Sequence, residues 1–176
     1  MTRVMVFIDG SNIYWGQNYY SKVHNEKFRI DFNKLIASIV EKRDLIRAIY
    51  YCSVPEKPKE SQIKFNEYLR KLGIQIIEKR LRERVNKTDG MLITTEKGVD
   101  IALATDLLAY AWENVYDVAV LVSGDEDYSG AVQKVMTKGK NVELVSFRGS
   151  TSKELSKSCT KTTYIDDLVG IVKMRK

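Results

Sequence analysis

Acidic residues stand where apolar runs end. Phe7-Ile8-Asp9-Gly10-Ser11-Asn12 closes the first such run, and Val122-Ser123-Gly124-Asp125-Glu126-Asp127 closes a later one. Between them, Lys97-Gly98-Val99-Asp100 opens a helix-like stretch. Carboxylates gathered at one edge of a sheet repel and raise one another's pKa, so a cluster of them needs a counter-charge. A divalent cation supplies one. An oxygen-only donor set, with no His or Cys, suits Mg²⁺ or Mn²⁺. The chemistry this predicts is metal-assisted phosphodiester hydrolysis on a nucleic acid.

Each piece also has an ordinary reading. Asp9 followed by Gly10 and Ser11 is a common helix-capping turn, with Asn12 placed to hold Asp9 by a hydrogen bond. Asp125, Glu126 and Asp127 complement a helix dipole. In the functional reading, Asp125 and Asp127 reach one ion, Ser123 orients a water, and Glu126 is solvated. Asp100 sits in a helix's first turn, where an acid is stabilising. Asp106 lies about 120° around the same helix and ranks lower, as part of a solvated face. Tyr14, Trp15, Tyr19 and Tyr20 can stack on bases, although aromatics at that spacing are more often packing residues. A Walker loop, a dinucleotide fingerprint after the first strand and a Gly-x-Ser-x-Gly elbow are all absent.

Composition narrows the classes further. The 176 residues suffice for one domain with a substantial core, and residues 1–176 are read as a single domain. Two cysteines, Cys52 and Cys159, and a single His24 argue against a disulfide framework, a thiolate zinc site and most histidine catalysis. No apolar run nears the roughly 20 residues that span a bilayer, and the start of the chain shows no signal-peptide pattern. A cytoplasmic protein with no membrane partner is expected. The net charge of +6 is uneven. Lys79 to Lys87 and Lys153 to Lys161 are basic, as surfaces flanking an acidic centre on a polyanion would be.

Strand-like and helix-like segments alternate. Arg3–Ile8, 45–52, 74–78, 117–122 and 142–147 read as strands, with a last short one at 163–165. Helices are expected after Asn12, from Asp31 (as N-cap) to about Lys42, from Pro58 to Gly73, from Gly98 to Glu113 (apolar on most of its circumference), from Tyr128 to Lys138, and from Thr151 to Ser158. A final helix follows. The irregular 79–97 stretch reads as a basic hairpin, with Thr88-Asp89-Gly90 as its turn and 91–94 as a strand. This pattern predicts an α/β fold: a largely parallel central sheet flanked by helices, with ligands outside the carboxyl ends of the strands.

In order, Val6-Phe7-Ile8-Asp9-Gly10-Ser11-Asn12, Lys97-Gly98-Val99-Asp100-Ile101-Ala102-Leu103-Ala104-Thr105-Asp106 and Val120-Leu121-Val122-Ser123-Gly124-Asp125-Glu126-Asp127-Tyr128 resemble the NYN domain family, in its LabA-like branch. Gly139-Lys140-Asn141-Val142 and Ser146-Phe147-Arg148 add to the resemblance, which spans nearly the whole chain. It implies a three-layer PIN-like fold and a metal-dependent ribonuclease site. By position, Asp9, Asp100, Asp125 and Asp127 would bind Mg²⁺ or Mn²⁺, with Asn12 and Ser123 supporting and Asp106 matching a frequently acidic position. Many members carry Asp where this chain has Thr160.

The function expected is hydrolysis of RNA, single-stranded by preference. Arg80, Arg82, Arg84, Lys97 and Arg148 are candidates for phosphate contacts, and a homodimer is left open. The main alternative is a non-catalytic RNA- or protein-binding module of the same fold. A small-molecule phosphohydrolase is a weaker one.

Overall fold

A computed structural model describes residues 1–85, 92–95 and 97–174, with the backbone alone at 82–85 and 92–95. Six parallel strands form the central sheet: β1 (Arg3–Asp9), β2 (Asp44–Val54), β3 (Gln75–Arg80), β6 (Val118–Val122), β7 (Asn141–Ser146) and β8 (Lys161–Tyr164). Their order is β3-β2-β1-β6-β7-β8. The remaining two, β4 (Arg82–Val85) and β5 (Leu92–Thr95), pair antiparallel as the expected hairpin. Its Thr88-Asp89-Gly90 turn, and Lys87, lie outside the described residues. Among the described residues seven α-helices flank the sheet: α1 (Gly10–Val23), α2 (Phe32–Val40), α3 (Glu60–Lys71), α4 (Val99–Trp112), α5 (Ser129–Thr137), α6 (Lys153–Ser158) and α7 (Ile165–Val172).

The period of two along β1 explains the three layers. Val4, Val6 and Ile8 face one side, with Ile13, Leu35 and Val172 from α1, α2 and α7 in the same cluster. Met5 and Phe7 face the other, with Leu103 and Leu107 of α4 and Val132 of α5. A strand buried on both faces has no room for polar residues, hence its continuous apolar reading. Each fully buried aliphatic side chain of this kind stabilises the fold by about 1.5–3 kcal/mol.

Local signals place the helices. Asp31 caps α2, its carboxylate accepting the Lys34 N–H at 3.2 Å, and Phe32, Leu35, Ile39 and Val40 form its buried face. Pro58 falls before α3 rather than in its first turn; Lys59 is the N-cap. Helix α4 is less buried than its apolar composition predicts. Val99, Leu103, Leu107 and Ala111 form one buried stripe, while Ile101 is 72% exposed. Among the described residues no helix is long and apolar enough to cross a membrane.

Chain order reverses between β1 and β6. In such sheets the connections leave to opposite sides there, opening a crevice beyond the carboxyl ends of the two strands. Ile8 is level with Val122 in the register, so Asp9 and Ser123 emerge together. Behind them, the turn at Arg148–Ser150 closes on Gly124. Ser152 N–H donates to the Gly124 carbonyl at 2.9 Å, and a Cβ on Gly124 would fall 2.0 Å from the Ser150 carbonyl oxygen.

Gly124→Ala should therefore cost about 1–3 kcal/mol of stability, because backbone must move. Gly130→Ala, on a helix with open space around it, should gain about 0.4–1 kcal/mol. Urea unfolding of the two variants tests the pair; equal effects would contradict the close approach at Gly124.

Candidate active site at the switch point

Asp9 ends β1 and caps α1, and is 2% exposed. Its Oδ1 accepts the backbone N–H of Asn12 at 3.0 Å. Its Oδ2 accepts the Ser123 hydroxyl at 3.0 Å and the Tyr128 hydroxyl at 3.3 Å. That Tyr128 hydroxyl also reaches Asp100 Oδ1 at 3.2 Å. A phenol has one proton to donate, and both distances exceed the usual 2.5–3.0 Å of an O–H···O bond. The two carboxylates therefore share one stretched donor.

Two supporting residues act differently from expectation. Asn12 holds Asp9 through its main chain, while its side-chain Oδ1 accepts the Gly124 N–H at 2.9 Å. It ties the β1 loop to the β6 loop. Ser123 does not stand free to orient a water: its hydroxyl donates to Asp9 and accepts the Asp125 N–H at 3.2 Å. Asp125 is half-buried and caps the short turn Glu126–Tyr128, its Oδ1 accepting the Asp127 N–H at 3.1 Å. Asp127 is exposed beyond it. Glu126, exposed as expected, accepts the Ser152 hydroxyl at 3.2 Å.

Asp100 comes from the first turn of α4, which starts at Gly98 with φ +84°. A side chain is strained there, so glycine is what lets the chain turn into the helix at this point. Asp9, Asp100, Asn12, Ser123 and Asp125 thus form one hydrogen-bonded chain, with Asp127 attached through its backbone. Among the described residues, however, no three acids, histidines or cysteines are grouped closely enough to hold a metal ion.

Burial raises the pKa of Asp9 above the ordinary carboxylate range. The donors from Asn12, Ser123 and Tyr128 oppose this, and the like charge of Asp100 adds to it. Burial, then the charges of Asp9 and Asp100, raises the Tyr128 phenol too, so it keeps its proton at neutral pH. All three donors to Asp9 are neutral. A buried carboxylate facing a second carboxylate, with hard oxygen donors around it, suits a small divalent cation.

Tyr128 is the residue of this candidate site that sequence reasoning passed over. Its position in register with Val132 and Val135, all buried, marks a core stripe; nothing local marks its hydroxyl as the link between two acids. Asp106 proves to be a partner for the core rather than part of a solvated face. It is half-buried and accepts the hydroxyl of fully buried Tyr51 at 2.8 Å. It also lines a groove of about 540 Å³ with Lys79, Lys97 and Ile101. Thr160 pairs with Val142 at the amino end of β7, the sheet edge opposite the acids.

The basic candidates are spread out. Lys97 is exposed beside that groove. Arg80, also exposed, lines a second groove of about 360 Å³ with Arg70 and Gln62. Arg82 and Arg84 lie on β4. Arg148 pairs with Asp167 at 2.6 Å and lies over the Tyr164 ring.

The profile of the NYN domain matches residues 3–166. The chain is 23% identical over 171 residues to the low amplitude and bright protein LabA of Synechococcus elongatus, covering 97% of this chain and 88% of that protein. A shorter match, 37% over 76 residues, covers 42% of this chain and 36% of an uncharacterized protein of Sinorhizobium fredii. Among solved structures, a protein of unknown function from Vibrio parahaemolyticus superposes with TM-score 0.75 at 20% identity, covering 98% of this chain and 96% of that one. It has the same fold.

The raised pKa of Asp9 makes a pH prediction. Folded, Asp9 binds its proton more tightly than unfolded, so its contribution to stability falls as pH rises from about 4 through its raised value. In EDTA, the stability of wild type relative to Asp9→Asn should decline across that window, read by urea unfolding at stepped pH. Parallel curves would show that burial does not act on Asp9 in this way.

Proposed function

The chain belongs to the NYN domain family, and from that premise we propose that it is a ribonuclease using Mg²⁺ or Mn²⁺. Residues 1–176 act in this reading as one PIN-like domain. The family generally includes nucleases. The observation that carries the reading is the meeting of Asp9 and Asp100, brought from separate elements, at the Tyr128 hydroxyl, in the crevice where such sheets bind ligands.

Asp9 and Asp100 would hold the ion, joined by Asp125 and Asp127 on turning from their present places, in which no three of the described acids are grouped. When bound, it lowers the pKa of an attacking water and neutralises charge on the leaving oxygen. The chain's own residues prepare the site. Ser123 fixes one oxygen of Asp9 and the backbone of Asp125. Asn12 pins the Gly124 loop. Tyr128, its proton retained, steadies two like charges and does not serve as a base. Lys97, Arg80, Arg82 and Arg84 would receive phosphates. Arg148 would join them by leaving Asp167, an exposed pair of a kind worth about 0–1 kcal/mol.

One observation favours a second reading, a binding module without turnover: the described acids do not form a group of three. Such a module would bind RNA with steep salt dependence and leave it intact.

Labelled single-stranded RNA separates the two. With Mn²⁺ or Mg²⁺ we expect cleavage that EDTA stops and that Asp125→Asn reduces by more than about 100-fold, beyond the loss typical of outer-shell changes. Asparagine still caps the Glu126–Tyr128 turn, so the variant should stay folded. Binding without cleavage would favour the module; full activity in the variant would remove Asp125 from the site.

A further inference from the structure

Helix α1 leaves the acidic edge carrying aromatic side chains on its outer face. Tyr14 is 55% exposed, Trp15 66% and Tyr19 57%. Trp15 and Tyr19 are four residues apart and so lie on one stripe with Ser11, which begins at the Asp9 turn. The fourth aromatic, Tyr20, packs instead on Phe28 and Phe147. The exposed rings are set rather than loose. Tyr14 and Trp15 meet edge to face, with centroids 5.3 Å apart. Tyr19 lies against Gly149, where a Cβ would come within 2.5 Å of the ring.

The chemistry of this face selects a partner. Helix α1 contains no Asp or Glu in a chain that has 23 of them, and its one charge is Lys22. Between Ser11 and Tyr19 the exposed and half-exposed positions are Ser, Asn, Tyr, Trp, Gln, Asn and Tyr, and the stripe ends on Val23, 58% exposed. A merely solvated helix face would carry charges. Flat rings among neutral amides, free of acids that would repel phosphate, suit unpaired bases on a polyanionic backbone.

We propose that Tyr14, Trp15 and Tyr19 form a stacking platform for the bases of single-stranded RNA whose backbone enters the crevice at Asp9. The stripe starts at that crevice and runs about 12 Å from Ser11 to Tyr19 at 1.5 Å per residue, so it holds the strand next to the acids. This rests on RNA being the substrate, and not on turnover. It predicts a preference for single strands, because bases inside a duplex cannot reach the rings.

The test is made in EDTA on the full chain carrying Trp112→Phe, which leaves Trp15 as the one tryptophan. A fluorescein-labelled single-stranded oligoribonucleotide reports binding by anisotropy, and the unlabelled strand reports stacking through Trp15 emission. Saturable quenching is expected with the single strand and not with its duplex. Tyr19→Ala, and Trp15→Ala read by anisotropy, should each weaken binding about five- to hundredfold, with Trp15→Phe restoring most of the loss. Binding by anisotropy with unchanged Trp15 emission and unaffected alanine variants would overturn the platform and leave the RNA reading standing. No binding at all would overturn both. A Trp15 signal that follows protein concentration without RNA, with a dimer in sedimentation, would assign the face to a second copy and overturn the platform.

Discussion

The structure turns on a buried carboxylate. Asp9 lies where chain order reverses, almost without access to water, and every nearby feature responds to it. Three neutral donors surround it, drawn from α1, from the loop after β6 and from the start of α5. Removing an ionised carboxylate from water costs several kcal/mol unless donors or a cation replace the solvent. The donors here offset part of that cost, and Asp100 works against them. The site forms with Asp9 held by neutral donors while it faces a second carboxylate, Asp100.

The same acids build the local structure. Asp9 caps α1 and Asp125 caps the turn that leads into α5, while Asp100 sits in the first turn of α4, where a negative charge is favoured. Capping and chemistry therefore ask for the same residue type at the same place. Two further ties keep the loops in register: Asn12 to the Gly124 N–H, and the Gly124 carbonyl to Ser152. The crevice is thus assembled from four chain segments whose geometry is interdependent, and a shift in any one would move at least one carboxylate.

Much of the fold was legible in the chain itself. β1 and β6 are continuous apolar runs because both faces are covered, and the alternation of strands with helices implied the parallel sheet. Departures have physical causes. α4 reads as largely buried since most of its circumference, Ile101 and Ala102 included, is apolar, yet a helix on one face of a sheet buries only one stripe, and Ile101 faces the groove beside Lys97. Aromatics on α1 split in the same way: Tyr20 turns to the core, while Trp15 and Tyr19, on another stripe, face water.

By itself the sequence determined which residues carry charge, where strands stop and helices are capped, and therefore that Asp9, Asp100 and Asp125 stand at element ends. Those are local properties, set by neighbours a few positions away. The tertiary structure alone decided their relations: that Tyr128 joins Asp9 to Asp100, that Ser123 serves Asp9 and Asp125 together, that Asn12 holds the opposite loop, and that Asp106 answers Tyr51. Strand order and register create these contacts between residues far apart in the chain, and no local pattern encodes a hydrogen bond whose partner is supplied by the packing of the whole sheet.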